Sequence, residues 1–398
     1  MDRETPLITT EALLDRIRAL QPVLRERAAD TEKRRMLPAE TIRDLFEAEL
    51  FRHFQPRRFG GHGVPWGIQY DIGRLLAHAC PSTAWIATVV AANNAYACRF
   101  DPRVQDEIYG NGPDVLVTNA SVQKGVTIIS EDGGYRVNGA WGFASGIDHA
   151  DWVMVGGAVD AAKLGAAAPR IFLLLPKSDY SIDDTWYVSG MRGTGSKDVV
   201  TKQVFVPAWR TLTMQAFWGP NPPGGAVNDD FIYRRDLTGF FGTSLLGPLV
   251  GMAEAGIAAY REQTRVRQGV LTKTVVAEET TVQIRLAESM AEAKAAALLM
   301  DTQIARLRRV GETDATLGQD ELLEMNRDRA FAVRLCQVAL ERVVSAMGAM
   351  GIQDANPAQR YFRDLNAAAT QIAVNYDRNM APFGRHALGL EVPKGLGI

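Results

Sequence analysis

Cysteine is scarce here, and so is every pattern that cysteine and histidine usually build. The 398 residues contain three cysteines, Cys80, Cys98 and Cys336. They are far apart and form no CxxC pair, which argues against a disulfide framework or a zinc site and for a reducing cytosol. The five histidines (His53, His62, His78, His149, His386) show neither HExxH nor HxH spacing, so no metal centre is expected. An excess of one charge is also missing. With 44 Lys+Arg against 46 Asp+Glu and a formal charge of −2, neither a nucleic acid nor an anionic membrane is an expected partner. No uncharged run reaches the roughly 18–20 residues that span a bilayer, and the apolar stretch near Leu245–Ala259 carries Glu254. The residues after Met1 lack the apolar segment of a secretory signal. A GxGxxG fingerprint, a GxSxG elbow and a P-loop are absent too, so nothing points to a nicotinamide-binding Rossmann unit. Hydrophobic residues at 46% and charged ones at 23% are enough for a globular protein of about two or three domains, or one large multi-part unit.

Three zones differ in hydrophobic period. Residues 1–113 read as helical: Leu13, Ile17, Leu20 and Leu24 mark one apolar stripe from Thr10 to about Arg34. Leu37-Pro38-Ala39-Glu40 opens a second helix, Ile68–Ala79 forms another, and Pro81-Ser82-Thr83 starts an apolar helix through Ala97. Residues 114–216 switch to short β-rich runs separated by turn signals such as Asp132-Gly133-Gly134 and Asn138-Gly139. They predict an antiparallel barrel or sandwich of six to eight strands, the last at Val199–Val206. The Pro- and Gly-rich residues 217–238 read as a linker. Residues 239–398 are helical again, with breaks expected at Gly269, Gly311-Glu312-Thr313 and Ile352–Pro357, which reads as an antiparallel four-helix bundle. The expected class is α+β.

Four segments in fixed order carry the chemistry. They are Cys80-Pro81-Ser82-Thr83-Ala84-Trp85, Trp141-Gly142-Phe143-Ala144-Ser145-Gly146 followed by His149-Ala150-Asp151-Trp152, Gly190-Met191-Arg192-Gly193-Thr194-Gly195-Ser196, and Asn356-Pro357-Ala358-Gln359-Arg360-Tyr361-Phe362-Arg363-Asp364. On its own the third reads as a plain β-turn. Together, across about residues 10–390, they resemble the acyl-CoA dehydrogenase superfamily. Within it they are most similar to the oxygenase components of two-component flavin-dependent monooxygenases, which hydroxylate phenols and related aromatics. That resemblance implies a reduced flavin, FMNH2 or FADH2, delivered by a separate NAD(P)H-dependent reductase. O2 would then form a flavin C4a-hydroperoxide, whose distal oxygen atom passes to a small aromatic substrate while the other leaves as water. It also implies a homotetramer.

The resemblance assigns roles residue by residue. Trp141, Phe143, Ala144 and Ser145 would run along the flavin ring, with Ser145 catalytic beside N5; the plainer reading is a strand end with Ser145 capping a turn. Asn119 and Ser121 come from a neighbouring strand, and Trp85 either lies beside the flavin or is core. Arg265 is assigned to the flavin phosphate, with Arg267 as competitor. Gly348, Ala349 and Gly351 would form a turn through which a second subunit approaches the cofactor, although a helix cap also needs glycine. Asn94, Ser121 and Phe241 are placed toward the substrate. The departure from the family is Gln371, on the expected continuation of the helix after Asp364, where a histidine is common; Asn366 replaces a second one. An amide forms hydrogen bonds but does not titrate near neutrality. Oxygenation of an amine nitrogen or thioether sulfur therefore stands as an alternative, as does a non-catalytic flavin-binding partner. A true dehydrogenase needs a carboxylate base, for which only Asp377, Asp236 or the distant Glu254 is available.

Overall fold

The computed structural model describes residues 8–228, 230–269, 273–313 and 315–393. Five helices come first: α1 (Thr10–Arg34), α2 (Ala39–Glu47), α3 (Ile68–Ala77), α4 (Pro81–Ala97) and α5 (Pro102–Tyr109). The hydroxyl of Thr9 accepts the Ala12 amide at 3.1 Å to start α1, and Arg35 closes it in the left-handed conformation. Proline in the first turn opens α4, which is buried on nearly every side.

Eight strands follow: β1 (Val117–Asn119), β2 (Val122–Glu131), β3 (Gly134–Ala144), β4 (Trp152–Ala158), β5 (Arg170–Pro176), β6 (Ser181–Asp183), β7 (Lys197–Pro207) and β8 (Thr211–Thr213). The short α6 (Ala161–Leu164) lies between β4 and β5. The strands make two four-stranded sheets, ordered β1-β4-β5-β8 and β2-β3-β7-β6. The expected all-antiparallel arrangement needs correction, because β1 pairs with β4 in parallel. The sheets enclose their own apolar cluster, with Trp141, Val153, Leu173 and Val199 at its centre.

The segment expected to be a solvated linker is instead packed. It begins within α7 (Met214–Trp218), and Phe217, Gly224, Gly225 and Asn228 are buried. Asp229 falls outside the described residues. Arg99 fastens this segment, donating to the carbonyls of Phe217 (2.8 Å), Gly219 (2.5 Å), Ile232 (2.9 Å) and Arg235 (2.9 Å). The chain then forms α8 (Leu246–Val266), α9 (Thr280–Glu312), α10 (Gln319–Ser345), α11 (Pro357–Ala368) and α12 (Tyr376–Ala387). By length and composition α8 could cross a bilayer, yet 83% of its apolar window is buried within the fold. It lies directly on α3. A Cβ at Gly247 or Gly251 would strike the Tyr70 or Arg74 carbonyl, and one at Gly73 would strike Pro248. Both helical segments share one apolar cluster, from Leu13 to Val374.

Candidate functional site

The four segments singled out in the sequence meet around one turn, Gly190–Ser196. Gly193 sits where a Cβ would be 2.5 Å from Thr31 Cγ2 and 2.9 Å from Ser82 Oγ, which wedges the turn between α1 and the start of α4. A Cβ on Gly190 would strike the Arg363 carbonyl of α11. The Met191 amide donates to Asp364 Oδ1 at 2.5 Å. Burial pushes this carboxyl up to about 7, with Glu32 adding to the rise against the Met191 hydrogen bond, Arg363 and Arg360.

Above the turn stands Ser145. Trp85 Nε1 donates to its hydroxyl at 3.3 Å, and the Ser196 hydroxyl lies 2.8 Å away on the other side. Thr194 Oγ1 is 2.7 Å from Ser196 Oγ and donates to the Met191 carbonyl at 2.9 Å. Thr118 Oγ1 fixes the Ser145 backbone by donating to its carbonyl at 2.6 Å. The β3–β7 register shifts between Trp141 and Ala144, and this irregularity re-aims consecutive side chains. Ala144 turns inward, whereas Phe143, at φ 66°, is 55% exposed and meets Trp186 edge-on at 5.8 Å.

The remaining assigned residues divide into those near this cluster and those elsewhere. Trp141 is fully buried between the sheets, its Nε1 donating to the Gly156 carbonyl at 2.8 Å, so its ring is committed to the core. Asn94 is likewise spent: its amide donates to Phe51 O at 3.1 Å and accepts the Val117 amide at 3.2 Å. Its neighbour Asn93 is the one that reaches Asn119, at 3.2 Å. Ser121 is exposed, and its backbone amide donates to Gly142 O at 3.3 Å. His149 packs past the Ser145 turn and donates to Leu37 O at 2.7 Å.

Gln371 corrects the expected helix register. Helix α11 ends at Ala368, and Gln371 lies in the turn beyond it. Its Oε1 accepts the Ala373 amide at 2.6 Å, so the side chain folds back onto its own turn. Phe241 belongs to the same region: a Cβ on its neighbour Gly242 would strike Ala373, and its ring, 40% exposed, meets Trp218 edge-on at 5.5 Å. Asn366 is engaged by Gln337 at 2.9 Å. Arg265 is exposed at the end of α8 with Glu262 at 3.4 Å. Arg267 instead donates to Met347 O at 3.1 Å and Ala346 O at 3.4 Å, bracing the turn that begins at Gly348. Gly348 and Ala349 are exposed and Gly351 is buried.

Sequence reasoning missed Thr194 and Ser196 as partners of Ser145; their hydroxyls, two residues apart on a turn, were the available signal. The carboxylates a dehydrogenase would use are unsuited to proton abstraction. Asp236 and Asp377 are exposed. Burial would raise the Glu254 carboxyl, but hydrogen bonds from His78 (3.2 Å) and Arg74 (2.5 and 2.8 Å) override it and hold the group at about 2.

Comparison with known proteins decides the family. Residues 244–376 match the model "Acyl-CoA dehydrogenase, C-terminal domain". The oxygenase subunit HsaA of a flavin-dependent monooxygenase from Rhodococcus jostii is 31% identical, over 95% of this chain and 99% of that protein. The oxygenase component of an FADH2-dependent resorcinol hydroxylase from a Rhizobium species is 32% identical, over 96% and 95% of the two chains. The chain belongs to the flavin-dependent monooxygenase oxygenase components. XiaF from a Streptomyces species, solved with FADH2 and glycerol, superimposes on this oxygenase component with a TM-score of 0.89 at 26% identity, covering 96% of each chain.

The residues of the oxygenase component suit a flavin. Ser145 and Trp85 form a buried polar pair, 8% and 9% exposed, and Phe143, two residues before Ser145, is 55% exposed. A planar ring with hydrogen-bonding atoms on its edge matches that pairing of one polar oxygen with aromatic surface.

Proposed function

We propose that this oxygenase component uses FMNH2 or FADH2 from a separate NAD(P)H-dependent reductase, together with O2, to oxygenate a small nucleophilic aromatic substrate. The observation that carries the reading is the convergence of all four family segments on the Gly190–Ser196 turn, which Ser196 ties to Ser145 and Trp85. When bound, the flavin supplies the oxygen-activating chemistry. Ser145 and Trp85 would hold its polar edge, with Asn119, Ser121, Phe143 and Ala144 along the ring and Arg265 toward the phosphate. Phe143 and Trp186 would exclude water that otherwise discharges peroxide. Gln371 and Phe241 would meet the substrate.

Gln371 shapes the substrate class. Its amide, held through Oε1 by the Ala373 N–H, forms hydrogen bonds but does not titrate, so it offers no group that removes a phenolic proton. That supports electron-rich arenes and, as a second reading, amine nitrogen or thioether sulfur. A homotetramer with closed symmetry, in which a second copy covers exposed Ile284 and Leu298 of α9 and Phe331 of α10, completes the proposal. The division into three domains, 1–113, 114–216 and 239–398, joined through 217–238, and a cytoplasmic location, in keeping with three buried free cysteines, belong to it as well.

The test is anaerobic titration with both reduced flavins, followed by mixing with oxygen and a panel of phenols, anilines, indoles and thioethers. Saturable binding of reduced flavin and an oxygenated product are expected, with turnover on NAD(P)H only after a reductase is added. Failure to bind either reduced flavin, or rapid NAD(P)H oxidation by the chain alone, overturns the reading. Sedimentation of a flavin-competent monomer overturns the tetramer.

A further inference from the structure

The hydroxyls of Ser145, Ser196 and Thr194 form a chain whose hydrogen-bond direction is determined from its ends. At one end Thr194 Oγ1 lies 2.9 Å from the Met191 carbonyl. A carbonyl only accepts, so the single Thr194 proton points there. Thr194 oxygen must then accept from Ser196 at 2.7 Å. The Ser196 proton being used, its oxygen accepts from Ser145 at 2.8 Å. At the other end the Trp85 N–H, which can only donate, reaches the Ser145 oxygen at 3.3 Å. Every proton in the row Trp85, Ser145, Ser196, Thr194, Met191 is thereby directed toward Met191.

We infer that Thr194 and Ser196 are positioning residues that commit the Ser145 hydroxyl to act as a hydrogen-bond acceptor toward the flavin, and so make the site select reduced over oxidised flavin. The inference rests on the proposed placement of Ser145 at flavin N5. Reduced flavin carries a proton on N5 and can donate to the remaining lone pair of Ser145. Oxidised flavin presents a bare N5 lone pair, which an acceptor opposes. For Ser145 to donate to oxidised N5, its own bond to Ser196 must break, or Ser196 must turn round and give up Thr194. Either route loses one buried hydrogen bond. The turn is held against such rearrangement: Trp186 Nε1 also donates to Met191 O at 3.1 Å, and the Met191 amide is bound by Asp364.

The experiment measures dissociation constants for oxidised and for reduced FMN and FAD, the latter anaerobically, in wild type, Ser196→Ala and Thr194→Val. No turnover is involved. Wild type should favour reduced flavin. Ser196→Ala removes the acceptor that occupies the Ser145 proton, so the oxidised-to-reduced ratio of dissociation constants should fall about five- to tenfold, the worth of roughly one hydrogen bond. Thr194→Val should lower it in the same direction, and the conservative Ser196→Thr should restore the wild-type ratio. A purely structural role would weaken both flavin forms alike and leave the ratio unchanged, which overturns the inference. If wild type binds neither form, the flavin reading itself fails, a separate outcome. Should Ser196→Ala not fold, Thr194→Val and Thr194→Ser decide: the inference requires a lowered ratio in the first and a preserved one in the second.

Discussion

Replacing Asp364 with asparagine probes the junction between α11 and the site turn. Asp364 is 3% exposed, and its Oδ1 accepts the Met191 amide. Asparagine keeps that acceptor and cannot ionise. Burial raises the carboxyl from 3.8 to about 7, so between those values the folded chain holds a proton that the unfolded chain releases. Stability from this group is therefore complete below pH 3.8 and is lost progressively as pH rises through 7. At about 1.4 kcal/mol per pKa unit the full loss is about 4 kcal/mol, and water entry around the charged form makes that an upper bound. Asp364→Asn should match wild type near pH 4 and exceed it by about 2–4 kcal/mol at pH 8. Urea unfolding from pH 4 to 8.5 at fixed protein concentration reads the difference as a widening gap between midpoints. Parallel curves for the two proteins would refute the reasoning, because Arg363 and Arg360 would then already hold Asp364 ionised throughout.

Arg99→Leu leaves four backbone carbonyls without their donor; urea unfolding should show a loss of roughly 3–6 kcal/mol, and a loss near zero would mean that water replaces the guanidinium. Ser145→Ala should raise H2O2 release per reduced flavin about two- to tenfold and weaken reduced-flavin binding by a similar factor, each reflecting one lost hydrogen bond; peroxide assays alongside titration read the two, and no change in either would place Ser145 away from N5. Gln371→His should introduce a limb near pH 6.5 in the oxygen-transfer profile, since histidine normally titrates there, and Gln371→Ala should lower coupling. Unchanged coupling in Gln371→Ala would place the residue away from the substrate.

The sequence is legible where the signal is local. Thr9, Pro81 and the stripe from Leu13 to Leu24 mark α1 and the start of α4, because caps and first-turn prolines act within one turn. The parallel β1–β4 pair carries no such mark, since its strands are joined through a long excursion rather than a tight turn. The break expected at Gly311-Glu312-Thr313 is where α9 ends, at Glu312 with Thr313 as its cap, and Gly311 there makes room for Phe231, whose ring a Cβ would meet at 2.8 Å. Ala367-Ala368-Ala369 favours helix by propensity, but the following turn packs on Gly242 and ends α11 early. That Asn93, and not Asn94, reaches Asn119 has no mark in the sequence. Because α4 is buried around nearly its whole circumference, it has no solvent-facing side to fix its rotation. Within the site, Trp85 and Ser145 were visible as separate motifs, and the hydroxyl row joining Ser145 to Met191 emerged only from the folded turn.

The glycine-lined crossing of α3 and α8 has a consequence for how the chain is made. Arg74 and Glu254, which pair across that crossing, are 180 residues apart. At roughly 5–20 residues per second, α8 leaves the ribosome about 9–36 s after α3. During that interval the side of α3 that α8 covers has no counterpart, while α3 already packs on α1 and α4 and the strands have their own apolar cluster. The nascent protein therefore carries a folded sheet unit on an unfinished helical base. The face of α3 left open closes only when Gly247 and Gly251 arrive to lie against Tyr70 and Arg74.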